Sequence, residues 1–424
     1  MEVTAGGVAN GGGGVTPPRL NIGQTLTLEE NSRDRVVPRC RHFGPCGGCD
    51  LQQMAYPAQV EWRKGRLVEV LRREGGFREL PPIHAVAMED PWGYRSKMEF
   101  SFGQDQVRVT LGLHERGSFR RIVDIVSCPI APPAVSDLLL AIKQVVNQFP
   151  LTAYDPRIHQ GFWRYAVIRA SLDPQGLMLL IVTNEGPRDP IDALARELPR
   201  VVPQLKSLWW GVSTRVSDVA QPERLTHLAG SEALEDRVGK IRFEVRPTNF
   251  VQPNLPLTVR IYEAIQEAAA LTGQEAVYDL YCGTGLIALF LAEGARAVVG
   301  VESEAENVAS ASRNAALNGI SNASFLGGKV EDLLKGRSLF KAGPKPHLIV
   351  LDPPRAGLHK EVYGPLLQAA APRLLYLSCN PVSLARDLKV LRERDAGLQL
   401  EKITLFDFFP HTAHLEVLVS LRRR

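Results

Sequence analysis

The feature that most restricts the fold is an alternation in the last third of the chain. Four short, almost continuously apolar runs, Ala276–Leu280, Ala297–Val301, His347–Leu351 and Leu374–Leu377, are each followed by a stretch of helical period, at 287–293, 305–317, 359–370 and 382–392. A strand that is apolar at every position, rather than at every second one, has both faces covered. That calls for a parallel sheet between helical layers. The pattern predicts an α/β, Rossmann-like unit over residues 241–424, completed by strands at Leu400–Phe406 and Leu415–Leu421. Ligands bind such sheets beyond the carboxyl ends of the strands. The residues that follow each apolar run are therefore where chemistry is expected.

Upstream the texture differs. Between 83 and 240 short, often alternating segments (Lys97–Phe102, Val107–Leu113, Ile122–Val126, Tyr165–Leu172, Leu177–Val182) predict a β-rich central domain. Residues 37–82 hold a tight loop with Cys40, Cys46 and Cys49, then a helix from Pro57 to Arg73. Residues 1–36, with Gly11–Gly14 and Pro17-Pro18, read as a flexible leader. No apolar run is long enough to span a bilayer and no secretory signal is apparent, so no membrane partner and a cytoplasmic location are expected. Nothing implies a protein partner. A net charge of +4 permits a nucleic-acid partner without requiring one. Six cysteines in a chain of this length point to metal or catalytic use rather than a disulfide framework.

Four strand ends carry chemistry. Asp279-Leu-Tyr-Cys-Gly-Thr-Gly285 closes one strand and opens a helix; Gly283 and Gly285 let the backbone turn sharply beside a ligand. Glu302 ends the next strand, where a carboxylate can accept from both hydroxyls of a ribose. S-adenosylmethionine fits this arrangement. Gly283-x-Gly285-x-x-Ala288 also fits a dinucleotide fingerprint, so a nicotinamide-dependent oxidoreductase stays open, as does a purely structural turn. Asp352-Pro-Pro-Arg-Ala-Gly357 forms a stiff turn whose carboxylate can face a planar base or the cofactor.

Ser378-Cys379-Asn380-Pro381 presents a thiol at the same edge, with Cys282 as its competitor and a buried thiol as the plain alternative. A thiolate is what methylation of uracil needs. Carbon 5 is too weak a nucleophile until a thiolate adds to carbon 6 and creates an enolate. A base must then remove the carbon 5 proton. Glu416, the one charged residue in Leu415–Leu421, is the candidate, although an edge-strand glutamate in solvent would look the same.

With these motifs in order, the chain resembles the RNA 5-methyluridine (uracil-5) methyltransferase family. The matching segments are NFVQPN (249–254), DLYCGTG (279–285), GVE (300–302), LDPPRAG (351–357), LSCNP (377–381) and FPHTAHLE (409–416), with CRHFGPCGGCDLQ (40–52), YRSKMEF (94–100) and GLHERGSFRRIVDIVSCPI (112–130) upstream. The resemblance implies a Rossmann-like S-adenosylmethionine-dependent catalytic domain, Cys379 as nucleophile and Glu416 as base. It also places Gln252, Tyr281, Glu302 and Asp352 at the cofactor. Two departures stand out: Phe-Val-Gln-Pro-Asn at 250–254 where the family often has Phe-Phe-Gln-Val-Asn, and Leu286 where it often has Asn.

Cys40, Cys46 and Cys49, with Cys128 far downstream, could surround either zinc or an iron–sulfur cube. The three-plus-one split leans toward a cluster, and the resemblance implies [4Fe-4S]. It also implies an RNA substrate, 23S ribosomal RNA before uridine 54 of transfer RNA, with RNA cytosine-5 methylation as a more distant alternative. Tyr94, Arg95, Lys97, His114, Arg116, Arg120 and Arg121 are expected to supply stacking and backbone contacts to that RNA.

Overall fold

The computed structural model describes residues 32–424 except 173, 217–219, 336–338 and 341–342; most of the expected leader, residues 1–31, lies outside the described residues. The cysteine loop leads into α1 (Tyr56–Arg73), which begins one residue before the expected proline. Strand β1 (Ile83–Val86) follows.

The central unit is a seven-stranded sheet: β2 (Lys97–Gln104), β3 (Val109–His114), β4 (Ile122–Asp124), β5 (Trp163–Leu172), β6 (Gln175–Thr183), β7 (Leu205–Val212) and β8 (Arg224–Gly230). Its order is β4-β3-β2-β5-β6-β7-β8. All neighbours are antiparallel except β6 and β7. A parallel pair needs a crossover, and α3 (Asp189–Val201) supplies it. With α2 (Pro133–Val146) it buries an apolar face in the core of this unit, which also takes in Cys46, Cys49 and Cys128. A short hairpin, β9 (Leu234–Val238) and β10 (Ile241–Val245), leads out.

The catalytic-type unit runs α4 (Leu255–Ala269), β11 (Ala276–Leu280), α5 (Leu286–Ala292), β12 (Ala297–Glu302), α6 (Ala305–Leu317), β13 (Ala323–Gly327), α7 (Val330–Leu334), β14 (Leu348–Leu351), α8 (Tyr363–Gln368), β15 (Arg373–Ser378), α9 (Pro381–Arg394), β16 (Leu398–Phe406) and β17 (Glu416–Arg423). Its sheet has the order β1-β16-β17-β15-β14-β11-β12-β13. The strands from β15 to β13 are mutually parallel, and β17 is antiparallel to both β15 and β16. As the apolar runs require, β11, β14 and β15 are buried almost throughout.

Two expectations are corrected. Residues 83–86, assigned from sequence to the central domain, pair in parallel with Ile403–Phe406 and extend the other sheet. The helix expected over 359–370 is only Tyr363–Gln368. The segment before it lines a cavity, and Ala370 has φ +50°, which ends the helix early.

Candidate active site

The strand register gathers the site. Leu280 lies beside both Val301 and Leu351, and Leu351 beside Tyr376. The residues that follow, Tyr281, Glu302, Asp352 and the turn leading to Cys379, therefore emerge along one edge. On β17 the antiparallel register pairs Ser378 with Val417, so the next residue on one strand, Cys379, neighbours the preceding one on the other, Glu416. A cavity of about 1560 Å³ opens over this edge, lined among others by Gln252, Tyr281, Gly283, Glu302, Asp352, Cys379 and Glu416. That exceeds the few hundred to about 1,000 Å³ usual for one small molecule, so two ligands fit side by side.

The glycine loop is built as its sequence demands. Tyr281 adopts φ +70°, a strained value for a residue with a side chain. The Gly283 amide donates to Glu302 Oε2 at 3.0 Å, which anchors that carboxylate against the loop. Gly283 has φ +54° and open space where a Cβ would stand, so a ligand can approach its backbone. Gly285 differs. It has φ +81° and an added Cβ would lie 2.8 Å from Ala311 Cβ and from the Phe325 ring. It does not line the cavity. This close packing lets α5 start against α6 and β13.

The NFVQPN segment closes the opposite wall. Asn254 caps α4 by accepting from the Leu257 amide at 3.1 Å, and its Nδ2 donates to Phe408 O at 2.9 Å. Asn249 donates to Asn307 Oδ1 at 3.2 Å and accepts from Ser310 Oγ at 3.0 Å, tying the segment to α6. The buried Arg169 donates to Asn249 O. Between these anchors Gln252 reaches Asp352, and its hydrogen bond pulls the Asp352 carboxyl down against the upward push of burial.

The cavity wall carries both signs of charge, with Asp352 and Glu416 close to Cys379 and Arg355 beside them. Burial raises Asp352 to about 7. Burial, reinforced by Asp352, raises Asp279 beneath the glycine loop to about 8. Glu416 is 2% exposed and shifted upward by burial and then by Asp352. Burial, then the charges of Glu416 and Asp352, pushes the Cys379 thiol up to about 12, while Arg355 pulls it down. Removing charge from water is what drives all four shifts. A cation entering beside Cys379 would meet the carboxyl groups of Asp352 and Glu416. The sequence assigns Arg355 no role of its own; its charge acts on Cys379 only through the fold, which no local pattern signals.

The four other expected cysteines lie within electrostatic reach of one another. Burial comes first in holding Cys49 above the usual thiol range, and Cys128, Cys46 and Cys40 each add to it. Cys128, raised to about 11, feels Cys40 and Cys46. Polar hydrogens are aimed at the sulfurs: the Gly48 amide lies 3.4 Å from Cys46 Sγ. Backbone amides of His42 and Phe43 serve Cys40, those of Ile130 and Ala131 serve Cys128, and the Gln52 side chain serves Cys49. Amides directed at sulfur favour thiolate, the ligand form iron–sulfur clusters require, so the donor set fits such a group. Among the described residues no group of three or more His, Cys, Asp or Glu side chains stands ready to hold a metal ion.

The expected RNA contacts divide. Arg95 and Lys97 line the cavity, and Arg120 and Arg121 are exposed. Tyr94 is 2% exposed and donates its hydroxyl to Pro410 O at 3.0 Å, so it cannot stack on a base. Arg116 pairs with Asp50 at 2.8 Å and donates to the carbonyls of Gly44, Cys46 and Cys49. It braces the cysteine loop. No helix among the described residues is long and apolar enough to cross a membrane.

A family model described as tRNA (Uracil-5-)-methyltransferase matches residues 228–424. An uncharacterized RNA methyltransferase of Clostridium acetobutylicum is 32% identical over 405 residues, covering 95% of this chain and 87% of that one. Another, from Nitratidesulfovibrio vulgaris, is 33% identical over 412 residues, with 96% and 87% covered. Among solved structures, the tRNA (uracil-54, C5)-methyltransferase of Pyrococcus abyssi in complex with S-adenosyl-L-homocysteine is similar with a TM-score of 0.72 and 26% identity, over 93% of this chain and 88% of that one. By the match of its catalytic half to the family model and the near full-length likeness of its relatives, the chain belongs to the RNA (uracil-5-)methyltransferase family.

Proposed function

We propose that this protein transfers a methyl group from S-adenosylmethionine to carbon 5 of a uridine in RNA, with Cys379 as nucleophile and Glu416 as base. The observation that carries this reading is the juxtaposition of that thiol and that carboxyl group on neighbouring strands, both lining one cavity with the glycine loop. When bound, S-adenosylmethionine supplies the methyl group and a sulfonium charge. Gln252, Tyr281, Gly283, Glu302 and Asp352 are the residues that would hold it, with Gly285 shaping the loop from behind.

The chain's own residues then account for the order of events. Loss of the Cys379 proton to solvent water frees a thiolate, favoured by Arg355 and by any cation that offsets the charges of Asp352 and Glu416. The thiolate adds to carbon 6, and the electron pair displaced from the double bond makes carbon 5 nucleophilic. Carbon 5 takes the methyl group as the methyl–sulfur bond breaks. Glu416 accepts the carbon 5 proton, the double bond re-forms, and the bond from carbon 6 to Cys379 breaks, returning the thiolate. A carboxylate with a raised pKa is a stronger base once ionised, which suits Glu416 to that last step. The uridine must leave its stack to reach this depth, and Arg95, Lys97 and Arg355 at the cavity wall can take its flanking phosphates.

The first substrate class in this reading is ribosomal RNA. Transfer RNA is the second, favoured by the likeness to the P. abyssi enzyme. Cys40, Cys46, Cys49 and Cys128 would hold a [4Fe-4S] cluster, supported by their convergence and the amides aimed at their sulfurs. Anaerobically purified protein should be brown and contain iron and sulfide; colourless protein with stoichiometric zinc would contradict that assignment. The function is tested by incubating the enzyme with methyl-labelled S-adenosylmethionine and separate ribosomal and transfer RNA fractions lacking the modification. Labelled 5-methyluridine in one fraction is expected, and labelled 5-methylcytidine alone, or no labelled nucleoside, would overturn the reading.

A further inference from the structure

Residues 407–415, which lead into Glu416, form no strand or helix of their own. They are fastened instead to the N-terminal segment. The Asp50 and Leu51 amides both donate to His411 O, at 2.8 and 2.9 Å. Asp50 Oδ2 accepts from the Ala413 amide at 3.0 Å, and Asp50 Oδ1 pairs with Arg116 at 2.8 Å. Arg116 in turn donates to the carbonyls of Cys46 and Cys49. His411, at φ +68° and 3% exposed, is gripped by Gln59, which accepts from its amide at 3.0 Å and lies 3.2 Å from Nδ1. The fully buried Arg63 pairs with Asp407 at 3.1 Å and donates to Thr412 O at 2.6 Å and His414 O at 3.1 Å.

Apart from a local turn in which Thr412 donates to Phe409 O and accepts from the His414 amide, the segment depends on these outside contacts for its shape. Its last residue before the strand is a neighbour of a carboxyl group that must meet a proton within hydrogen-bond reach. A misplacement of about 1 Å can cost on the order of a hundredfold in rate. Asp50 is the link best suited to transmit position. One carboxylate oxygen holds the approach to Glu416 and the other holds the arginine that knots the cysteine loop.

We propose that Asp50 is a positioning residue for Glu416, so that the cysteine loop sets the geometry of proton removal from carbon 5. The inference rests on the uridine methylation reading. It assigns the N-terminal loop a part in the resolution of the covalent adduct, separate from any part in holding RNA.

The test compares wild type, Asp50→Ala and Asp50→Asn as full-length enzyme purified anaerobically, with the RNA fraction that wild type modifies. Asp50→Ala should lower kcat by about tenfold or more with the KM for S-adenosylmethionine within about twofold. It should also raise the fraction of denaturation-resistant RNA–enzyme complex above wild type, because methyl transfer outruns proton removal. Asp50→Asn keeps an acceptor for the Ala413 amide but loses the pairing with Arg116, and should recover turnover in part, between Asp50→Ala and wild type. Should Asp50→Ala fail to fold, Ala413→Pro removes the donated amide hydrogen while also fixing φ at 413, with the same expected pattern. Unchanged turnover with no added complex overturns the proposal, as does a parallel loss of cofactor affinity, complex and melting temperature. A wild-type enzyme that makes no 5-methyluridine refutes the underlying reading instead, so the two failures are distinguishable.

Discussion

Cys379 and the quartet of Cys40, Cys46, Cys49 and Cys128 place the same side chain in contrasting surroundings. Cys379 stands apart from the quartet, half-buried at the edge of a parallel sheet, among carboxyl groups and one arginine and facing a cavity. The quartet lies in and beside the core of the central unit, its thiols acting on one another and met by backbone amides. The first environment leaves a thiol exposed to a ligand while charges tune it. The second buries Cys46, Cys49 and Cys128, leaves Cys40 part-exposed, and directs hydrogen-bond donors at the sulfurs. In the proposed reading, reactivity and structure separate by neighbourhood, not by residue type. The two sites are nevertheless joined, because the loop that ends at Glu416 is tied to the residue after Cys49.

The comparison breaks most readily at Cys379. Cys379→Ala should reduce turnover by more than about a thousandfold, the scale seen when a covalent nucleophile is removed. Melting temperature and S-adenosylmethionine affinity should stay near wild type; steady-state kinetics and calorimetry measure each. Cys49→Ser should act in the other sense. It should lose iron, lower the melting temperature by several degrees and reduce turnover by only about ten- to a hundredfold, as metal analysis and thermal melts would record. Equal losses in the two variants would erase the distinction.

A smaller effect concerns pH. Burial raises Asp279 to about 8 and Asp352 to about 7, from an ordinary value of 3.8. Folding therefore holds protons that the unfolded chain has already released at neutral pH. Their contribution to stability is complete below about pH 4 and is lost as pH rises through 7 and 8. The melting temperature of ligand-free protein should fall over that window, and Asp279→Asn should flatten the fall. The smallest change is expected for Cys282→Ser. This thiol lies inside the glycine loop, 8% exposed and close against Gly300, so turnover should stay within about threefold of wild type. A large loss of activity would make Cys282 a rival to Cys379.

Much of the catalytic edge was legible because continuous apolar strands announce a parallel sheet, and a parallel sheet fixes where its strand ends point. Gly283, Glu302, Asp352 and Cys379 follow strands directly, so their convergence needed only the strand order. Glu416 was harder: its place depends on β17 entering antiparallel between β15 and β16. The glycine loop alone left a nicotinamide cofactor open; membership in the methyltransferase family removes that alternative. Pairing of β1 with β16 joins residues far apart in the chain and leaves no local sign. Tyr94 and Arg116 were misread for a related reason. An aromatic and an arginine look alike in sequence whether they meet RNA or brace a loop, and their partners, Pro410 and Asp50, are distant in sequence.

The central claim is tested most directly by mass-spectrometric mapping of the adduct trapped by Glu416→Gln. That variant should carry the methyl group to carbon 5 but stall before proton removal. Digestion of the denatured complex should yield the peptide containing Cys379 joined to a methylated uridine. An adduct on Cys282, or no adduct while wild type remains active, would contradict the account.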